Sequence, residues 1–512
     1  MKSPAVSLRL MKRPARRQQA LAIALTAALF CLNSGCMVDK VKKLDVSKVA
    51  QPQQEHIVGV TTKSGEEVGF DPPGGRVNRD SIEATVRSAP YTIAMGDVQR
   101  LWVEQLGVSA PRTIGLTVGI AAAAIATIAI IVAVTKQSCP FVYSWDGTQY
   151  VFDAEPYGGA ITRALERDDY SELEHLREQD GQYRLLLTNE VDETQFTNLM
   201  ELWVVDHTPG LRVVSDEKGN LRGYTGIRAL SAASDLDGHD LLPWLQSTDR
   251  KIWEPDAVSG PDGRLRQEIL LTFPKPEGAT QANLIANAAT GLWGSYMIKR
   301  MVELHGREAA GWLASLDNDP ASIKALEDWG AREETYRLRI EVEEPTGWEL
   351  RGSLPPGGPL LAEDRVIPLD VSRVRTNQLR IRLRPPVGFW ALNSFAVSYG
   401  AGEAVSVSRV AATSATTWDG KDVLPDLAAI DNRYYPMPTT SDRAEIRFPA
   451  PPRRTGMNRT VFLHSRGWYQ LHLRDTSDPD NATLMKLTSV PGAPVRFAVD
   501  RFAEWQRGGV IH

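Results

Sequence analysis

The run Gln182-Tyr-Arg184-Leu-Leu-Leu187-Thr-Asn-Glu-Val191 recurs at an offset of 196 residues as Gln378-Leu-Arg380-Ile-Arg-Leu383-Arg-Pro-Pro-Val387. Tyr183 to Leu187 and Leu379 to Leu383 read as strands, with apolar and polar positions alternating as on a sheet that buries one face. The same offset pairs Asp168, Tyr170 and Leu173 with Asp364, Val366 and Leu369. Upstream, Pro156-Tyr-Gly158-Gly159 corresponds to Pro355-Pro-Gly357-Gly358. Downstream, Asp237-Gly238-His-Asp240-Leu-Leu-Pro243-Trp-Leu245 corresponds to Asp419-Gly420-Lys-Asp422-Val-Leu-Pro425-Asp-Leu427, and Asp249 to Asp431. The series continues through Phe273-Pro274 and Phe448-Pro449 to Tyr296, Arg300 and Glu303 against Phe497, Arg501 and Glu504. Collinear matches over this distance indicate an internal duplication, in which each copy is one supersecondary unit.

Further strands, at Glu201 to Val205, Ile269 to Phe273 and Tyr336 to Val342, are separated by turns rich in Gly, Pro and Asp. That spacing is the signature of antiparallel β-sandwiches. The expected order is one sandwich over 137–305 with a helix at its end, a helical connector over 306–335, and a second sandwich over 336–512. Within the connector, Asp317-Asn-Asp-Pro320 should break the helix.

The remainder of the chain carries address signals. Residues 1–36 hold six Lys or Arg and no acid, and an uncharged run from Ala20 to Leu32 leads to Asn33-Ser34-Gly35-Cys36, the layout of a secretory signal. Small residues before Cys36 make it the candidate lipidated residue of a lipoprotein-type signal, although Asn33 stands where Leu is usual. Thr113 to Thr135 is a second uncharged run of 23 residues, ten of them Ile, Val or Leu. As a helix it would span ~35 Å, enough to cross a bilayer. Its Gly115 and Gly119 form a small-xxx-small face suited to self-association. The flanking charges leave the orientation of residues 137–512 open. Between these signals, residues 37–110 suggest a small barrel of SH3-like or Sm-like type built from five short strands.

Composition excludes several classes. The 512 residues carry a formal net charge of -5, and without residues 1–36 the balance is 52 basic against 63 acidic side chains, a net of -11. Nucleic acid is therefore not an expected partner. Three cysteines exclude a disulfide scaffold. No Walker loop, dinucleotide fingerprint or Gly-x-Ser-x-Gly elbow occurs, nor any His-Glu-x-x-His pair.

The run Cys139-Pro-Phe-Val-Tyr-Ser-Trp-Asp-Gly-Thr-Gln-Tyr-Val-Phe-Asp-Ala-Glu-Pro156, together with Arg167-Asp-Asp-Tyr-Ser-Glu-Leu-Glu-His-Leu176, resembles a family of bacterial envelope proteins, often lipoprotein-like, without an assigned activity. The resemblance runs in pattern from about residue 55 to the C-terminus. It implies residence in the cell envelope and brings no catalytic residue or ligand with it.

Two groups of residues are candidates for chemistry. Asp235, Asp237, Asp240 and Asp249, with Asp419, Asp422 and Asp431 in the second copy, could supply oxygen ligands to calcium. The plainer reading is a tight Asp-Gly turn whose aspartates cap backbone amides. Trp348, Trp390, Trp418, Tyr434 and Tyr435, with Trp468 and Tyr469, fall near turns and could stack on a sugar or a partner protein, while core packing claims aromatic rings of the same kind. Asp153, Glu155, Asp168 and Asp169 could pair as the acid and base of a glycosidase, though acids at this density are expected on any solvated surface. The sequence therefore points to a membrane-attached, non-enzymatic envelope protein that binds a protein or glycan, with no cofactor beyond a possible calcium site. An envelope hydrolase of carbohydrate or peptide, or an assembly scaffold, is the alternative.

Overall fold

The computed structural model describes residues 37–46, 56–71, 74–78, 80–86, 89–108, 140–249 and 252–507, with backbone alone at 37–45, 56 and 104–108. The signal over 1–36 with Cys36, and the apolar run over 113–135 with Gly115 and Gly119, lie outside these residues. Among the described residues no helix is long and apolar enough to cross a membrane. The fold is mainly β, with 44% strand against 19% helix.

The small N-terminal unit contains β1 (Met37–Asp45), β2 (His56–Thr62), β3 (Glu67–Gly69), β4 (Arg76–Asn78), β5 (Ser81–Val86), β6 (Ala89–Ala94) and β7 (Val98–Val108). The barrel expected here is not closed. The strands form a four-stranded sheet, β1-β7-β2-β3, and a separate three-stranded sheet, β4-β5-β6. Among the described residues the isolated bridge Ile57↔Gly75 and the Asp71 amide, which donates to the Thr85 carbonyl at 2.7 Å, link the two sheets. At three residues each, β3 and β4 are too short to carry a closing ladder. Ile57, Val60, Phe70, Ile82 and Leu101 fill the space between the sheets.

Beyond residue 140 the first segment supplies β8 (Phe141–Trp145), β9 (Tyr150–Ala154), β10 (Arg167–Glu172), β11 (Gln182–Thr188), β12 (Glu193–His207), β13 (Arg212–Ser215), β14 (Leu221–Tyr224), β15 (Arg228–Ala229), β16 (Ala232–Asp235), β17 (Ile269–Pro274) and β18 (Gln281–Thr290). The second supplies β19 (Leu338–Glu344), β20 (Gly347–Leu354), β21 (Glu363–Asp370), β22 (Gln378–Leu383), β23 (Trp390–Tyr399), β24 (Glu403–Ala404), β25 (Val407–Ala411), β26 (Ser414–Thr417), β27 (Tyr435–Met437), β28 (Arg443–Pro449) and β29 (Asn458–Leu471).

The sheets do not follow the two segments. One sandwich packs sheet β10-β29-β12-β25 against β26-β28-β11-β8-β9. Its core includes Leu185, Leu187, Leu202, Val204, Ile446 and Leu463. The other packs β21-β18-β23-β15 against β20-β19-β22-β17-β16, over Leu271, Phe273, Leu284, Ile340, Ile381 and Phe395. Replacing β8 to β12 by β19 to β23, and β25, β26, β28 and β29 by β15 to β18, converts one strand order into the other. Each sandwich thus combines the first half of one segment with the second half of the other. The segments 137–305 and 336–512 do not each close a sandwich of their own. The chain crosses between sandwiches at 208–227 and returns at 400–406, where β13, β14 and β24 form a three-stranded flap.

The two sandwiches meet where β10 faces β21. Asp169 and Arg365, which occupy equivalent positions 196 residues apart, pair with each other at 2.9 Å. Arg365 also binds Glu363 at 2.7 Å. Equivalent residues touch in this way at the axis of an isologous dimer, and here the two positions have become oppositely charged.

The repeated loops end in short helices, α1 (Leu242–Leu245) and α5 (Leu424–Leu427). The small unit docks on α1, where the rings of Trp102 and Trp244 lie 5.0 Å apart. Helix α2 (Leu292–Glu303) ends the first segment. It is followed by α3 (Ala309–Asn318) and α4 (Pro320–Glu333), and the break between them falls at Asp319, whose carboxylate caps α4. After β29 come α6 (Asn481–Ser489) and α7 (Ala493–Gln506), and α7 lays Phe502 edge-on to Trp293 of α2.

Candidate functional site

The Asp-Gly loops are hairpins of one geometry. Gly238 and Gly420 sit at φ 83° and 87°, in the left-handed region that a residue with a Cβ enters only with strain. Each closes its turn by donating to a backbone carbonyl, of Asp235 at 3.2 Å and of Thr417 at 3.0 Å. Asp240 and Asp422 then accept the amides of Leu242 and Leu424 at 2.9 Å, starting α1 and α5. The capping role is therefore common to both copies.

Of the seven candidate calcium ligands, the fold brings Asp235 and Asp237 together, with His239 as the third member of the group. Their charges are already met by side chains: Asp235 binds His239 Nδ1 at 2.7 Å, and Asp237 binds Arg264 at 2.6 Å. His239 Nε2 reaches the Gly65 carbonyl, so this loop fastens the small unit to the second sandwich. In the other copy Lys421 stands in place of His239, Asp419 accepts from Thr417, and Asp431 binds Arg433 at 3.1 Å. Asp249 accepts from Ser247 at 3.5 Å.

The candidate aromatic residues separate into three environments. Trp390 and Tyr435 are core residues, 1% and 4% exposed, which removes them from the binding set. Trp390 donates to the Thr335 carbonyl at 3.2 Å, and both rings lie in strands that fill a sandwich interior. Tyr434 and Trp348 are half-buried and occupied. Tyr434 stands edge-on to Phe196 and Trp468 with Arg163 over its face. Trp348 lies under Arg382 at 4.7 Å, and the guanidinium is held by Glu341. Trp418 differs from both, being 69% exposed.

Trp418 follows β26 directly and stands at the rim of a depression of about 440 Å³ in the outer face of sheet β26-β28-β11-β8-β9. Period-2 alternation on β28 sends Ala444, Ile446 and Phe448 into the core and Arg443, Glu445 and Arg447 onto this face. Register sets Thr416 opposite Glu445 and Leu186 on its other side, so hydroxyl, carboxylate and aliphatic groups form one row. Arg447 binds Glu445 at 2.7 Å, and Tyr150 donates to the same carboxylate at 2.8 Å. These two bonds hold the Glu445 carboxyl below its ordinary range although burial opposes them. The strands come from both segments, so neither segment builds this face alone.

The four acids considered as a glycosidase pair go to separate tasks. Asp153 binds His175 at 2.8 Å, and Glu155 accepts the Leu360 amide at 2.8 Å. Asp168 and Asp169 are neighbours on β10 and therefore point to opposite faces, Asp169 to Arg365 and Asp168 to the outer surface. There Asp168 forms a cluster that sequence reasoning missed. His464 of β29 is held between Asp168 and Glu201, with both bonds at 2.8 Å. Tyr170 stacks on the imidazole at 4.7 Å. The His464 hydrogen bond, with Arg466 beside it, holds the Asp168 carboxyl below its usual range. Burial alone would lower the imidazole pKa, but the two carboxylates outweigh it and raise it. Tyr170, His464 and Glu201 share one cross-strand row, and no local spacing signals residues so far apart in the chain.

No family model matches the chain, and no curated protein does either. The envelope-family resemblance therefore rests on the residues quoted for it. Among solved structures, the secreted serine protease VesC from Vibrio cholerae is similar over 64% of each chain at 7% identity and a TM-score of 0.13. A glycoside hydrolase family 43 arabinoxylan arabinofuranohydrolase from Bacillus subtilis is similar over 69% of each chain at 8% identity, again with a TM-score of 0.13. Likeness at that level carries no argument about fold or activity.

Proposed function

We propose that this chain is a membrane-attached, non-enzymatic protein of the bacterial cell envelope whose paired sandwiches, products of an internal duplication, present a glycan-binding face. The observation that carries this reading is Trp418, a large ring left 69% exposed beside a depression lined by Thr416, Arg443, Glu445 and Arg447. A sugar presents an apolar C–H face, which suits an indole, and a rim of hydroxyls, which suits guanidinium, carboxylate and threonine groups. Membrane attachment rests on the signal ending at Cys36 and on the apolar run over 113–135. At the Asp168 cluster both carboxylates are engaged by His464, and Asp168 by Arg466 as well, which favours binding over hydrolysis.

The test is a glycan array followed by tryptophan-fluorescence titration of the full chain in detergent. A saturable signal that Trp418→Ala weakens about thirtyfold, as expected for an anchoring tryptophan worth ~2 kcal/mol, supports the reading. Unchanged affinity in a folded Trp418→Ala variant overturns it. Turnover of any bound glycan would favour the hydrolase alternative.

A further inference from the structure

The opposite face of the same sandwich holds a second cavity of about 440 Å³, between sheet β10-β29-β12-β25 and the flap of β13, β14 and β24. Its floor is aromatic: Tyr170 and Trp203 lie 5.0 Å apart, and the imidazole of His464 is stacked on Tyr170. Its rim carries Lys218, Arg222 and Arg409. Arg409 lies 4.8 Å over the Trp203 ring. Among the described residues none of these three cations has an ion-pair partner, although the chain beyond residue 36 has a net charge of -11. Of the acids around it, Asp168 and Glu201 are held on His464, Asp168 is further neutralised by Arg466 at 2.7 Å, and Asp216 at the flap turn accepts the Lys218 and Asn220 amides at 2.8 and 2.9 Å. The flap is fixed over the floor at Gly219, where an added Cβ would sit 2.3 Å from the Tyr170 ring. The rim of the cavity therefore carries three cations, and its floor is aromatic, the Tyr170 and Trp203 rings being tilted 46° to each other.

We propose that this cavity is a binding site for a ring-bearing organic anion, a sugar carrying a carboxylate or a phosphate, whose ring packs beside Tyr170 and the Arg409-capped Trp203 and whose charge meets Arg222, Arg409 and Lys218. The volume falls within the ~300–1,000 Å³ of small-molecule sites. Paired cations at the rim fix the anion, and the aromatic floor discriminates rings from bare ions. The site is independent of the Trp418 face, since the two lie on opposite sheets.

The experiment is calorimetric titration of the full chain in detergent with sodium galacturonate, glucose 6-phosphate, glucose and inorganic phosphate, each to about 10 mM, beyond the ~1 mM Kd of a weak single-site ligand. Saturable binding of galacturonate, of glucose 6-phosphate or of both is expected, weakening as salt rises. The arm that binds identifies carboxylate or phosphate as the anion. An Arg222→Gln, Arg409→Gln variant should lose tenfold or more in affinity, and Lys218→Gln provides a second reading at a side chain remote from the core. Trp418→Ala should leave this binding unchanged, so its failure is distinct from failure at the Trp418 face. The proposal is overturned if neither charged sugar saturates, if glucose binds as well as they do, if phosphate alone binds as tightly, or if the folded charge variants bind normally.

Discussion

Replacing Arg365 by Met removes the cation that joins the two sandwiches while keeping the aliphatic volume of the side chain. Arg365, Asp169 and Glu363 have side chains 13%, 9% and 15% exposed, so the change leaves two carboxylates in a largely dry junction. Breaking a buried pair from one side costs about 3–5 kcal/mol. Asp169 retains the amides of Tyr157 at 2.9 Å and Tyr170 at 2.8 Å, which places the expected loss at the lower end, ~3 kcal/mol. Residues 140–507 as one cooperative unit have an unfolding entropy of ~0.8 kcal/mol/K, so the melting temperature should fall by ~4 °C at pH 7. Burial already raises the Glu363 carboxyl pKa, and without Arg365 to oppose it that carboxyl takes up a proton more readily. The deficit should therefore shrink at pH 5. Urea unfolding followed by tryptophan fluorescence at both pH values is the assay. A loss below ~1 kcal/mol, or an equal loss at the two pH values, would refute the view that this pair holds the junction.

Three further outcomes follow from the same structure. Burial, with Asp364 and Glu174 nearby, pushes the Glu172 carboxyl up to about 8. The folded chain therefore holds a proton that the unfolded chain releases near pH 4.5, and stability falls as pH rises from there to about 8. Glu172→Gln should flatten that slope and melt above wild type at pH 9, and an unchanged slope would count against it. Asp168→Asn removes one of the two acceptors that raise the His464 pKa, so the histidine should titrate at lower pH by NMR; an unchanged or higher pKa would contradict the cluster. Trp390→Ala should cost ~3–5 kcal/mol by leaving a cavity in the core, whereas Trp418→Ala should stay within ~0.5 kcal/mol, and comparable losses in denaturant melts would reverse their assignment.

The strands and their kinship were legible in the sequence because alternation is local and Gln182 to Val191 repeats in Gln378 to Val387. Their pairing was not. Sequential strands usually pair with each other, yet Tyr183 lies opposite Phe448 and Ile269 opposite Leu383, choices set by the crossings at 208–227 and 400–406. The Asp-Gly turns were readable because Gly and Asp act within a few residues. Trp390 was misplaced among binding residues because β23 is buried on both faces, so no alternation marks its ring as internal. His464 went unseen because its acids arrive from β10 and β12, more than 260 residues away.

The reciprocal assembly underlies both proposed sites, since each draws strands from both segments. It can be tested by placing a protease site between Asn318 and Asp319, which are exposed between α3 and α4. Among the described residues ten ladders would run across that cut: β10 with β29, β11 with β28, β12 with β25, β27 and β29, β14 with β24, β15 with β23, β17 with β22, and β18 with β21 and β23. After cleavage in native buffer, the two pieces should co-elute in size-exclusion chromatography, melt in one transition and part only in denaturant. Separation into two folded pieces without denaturant would contradict the account.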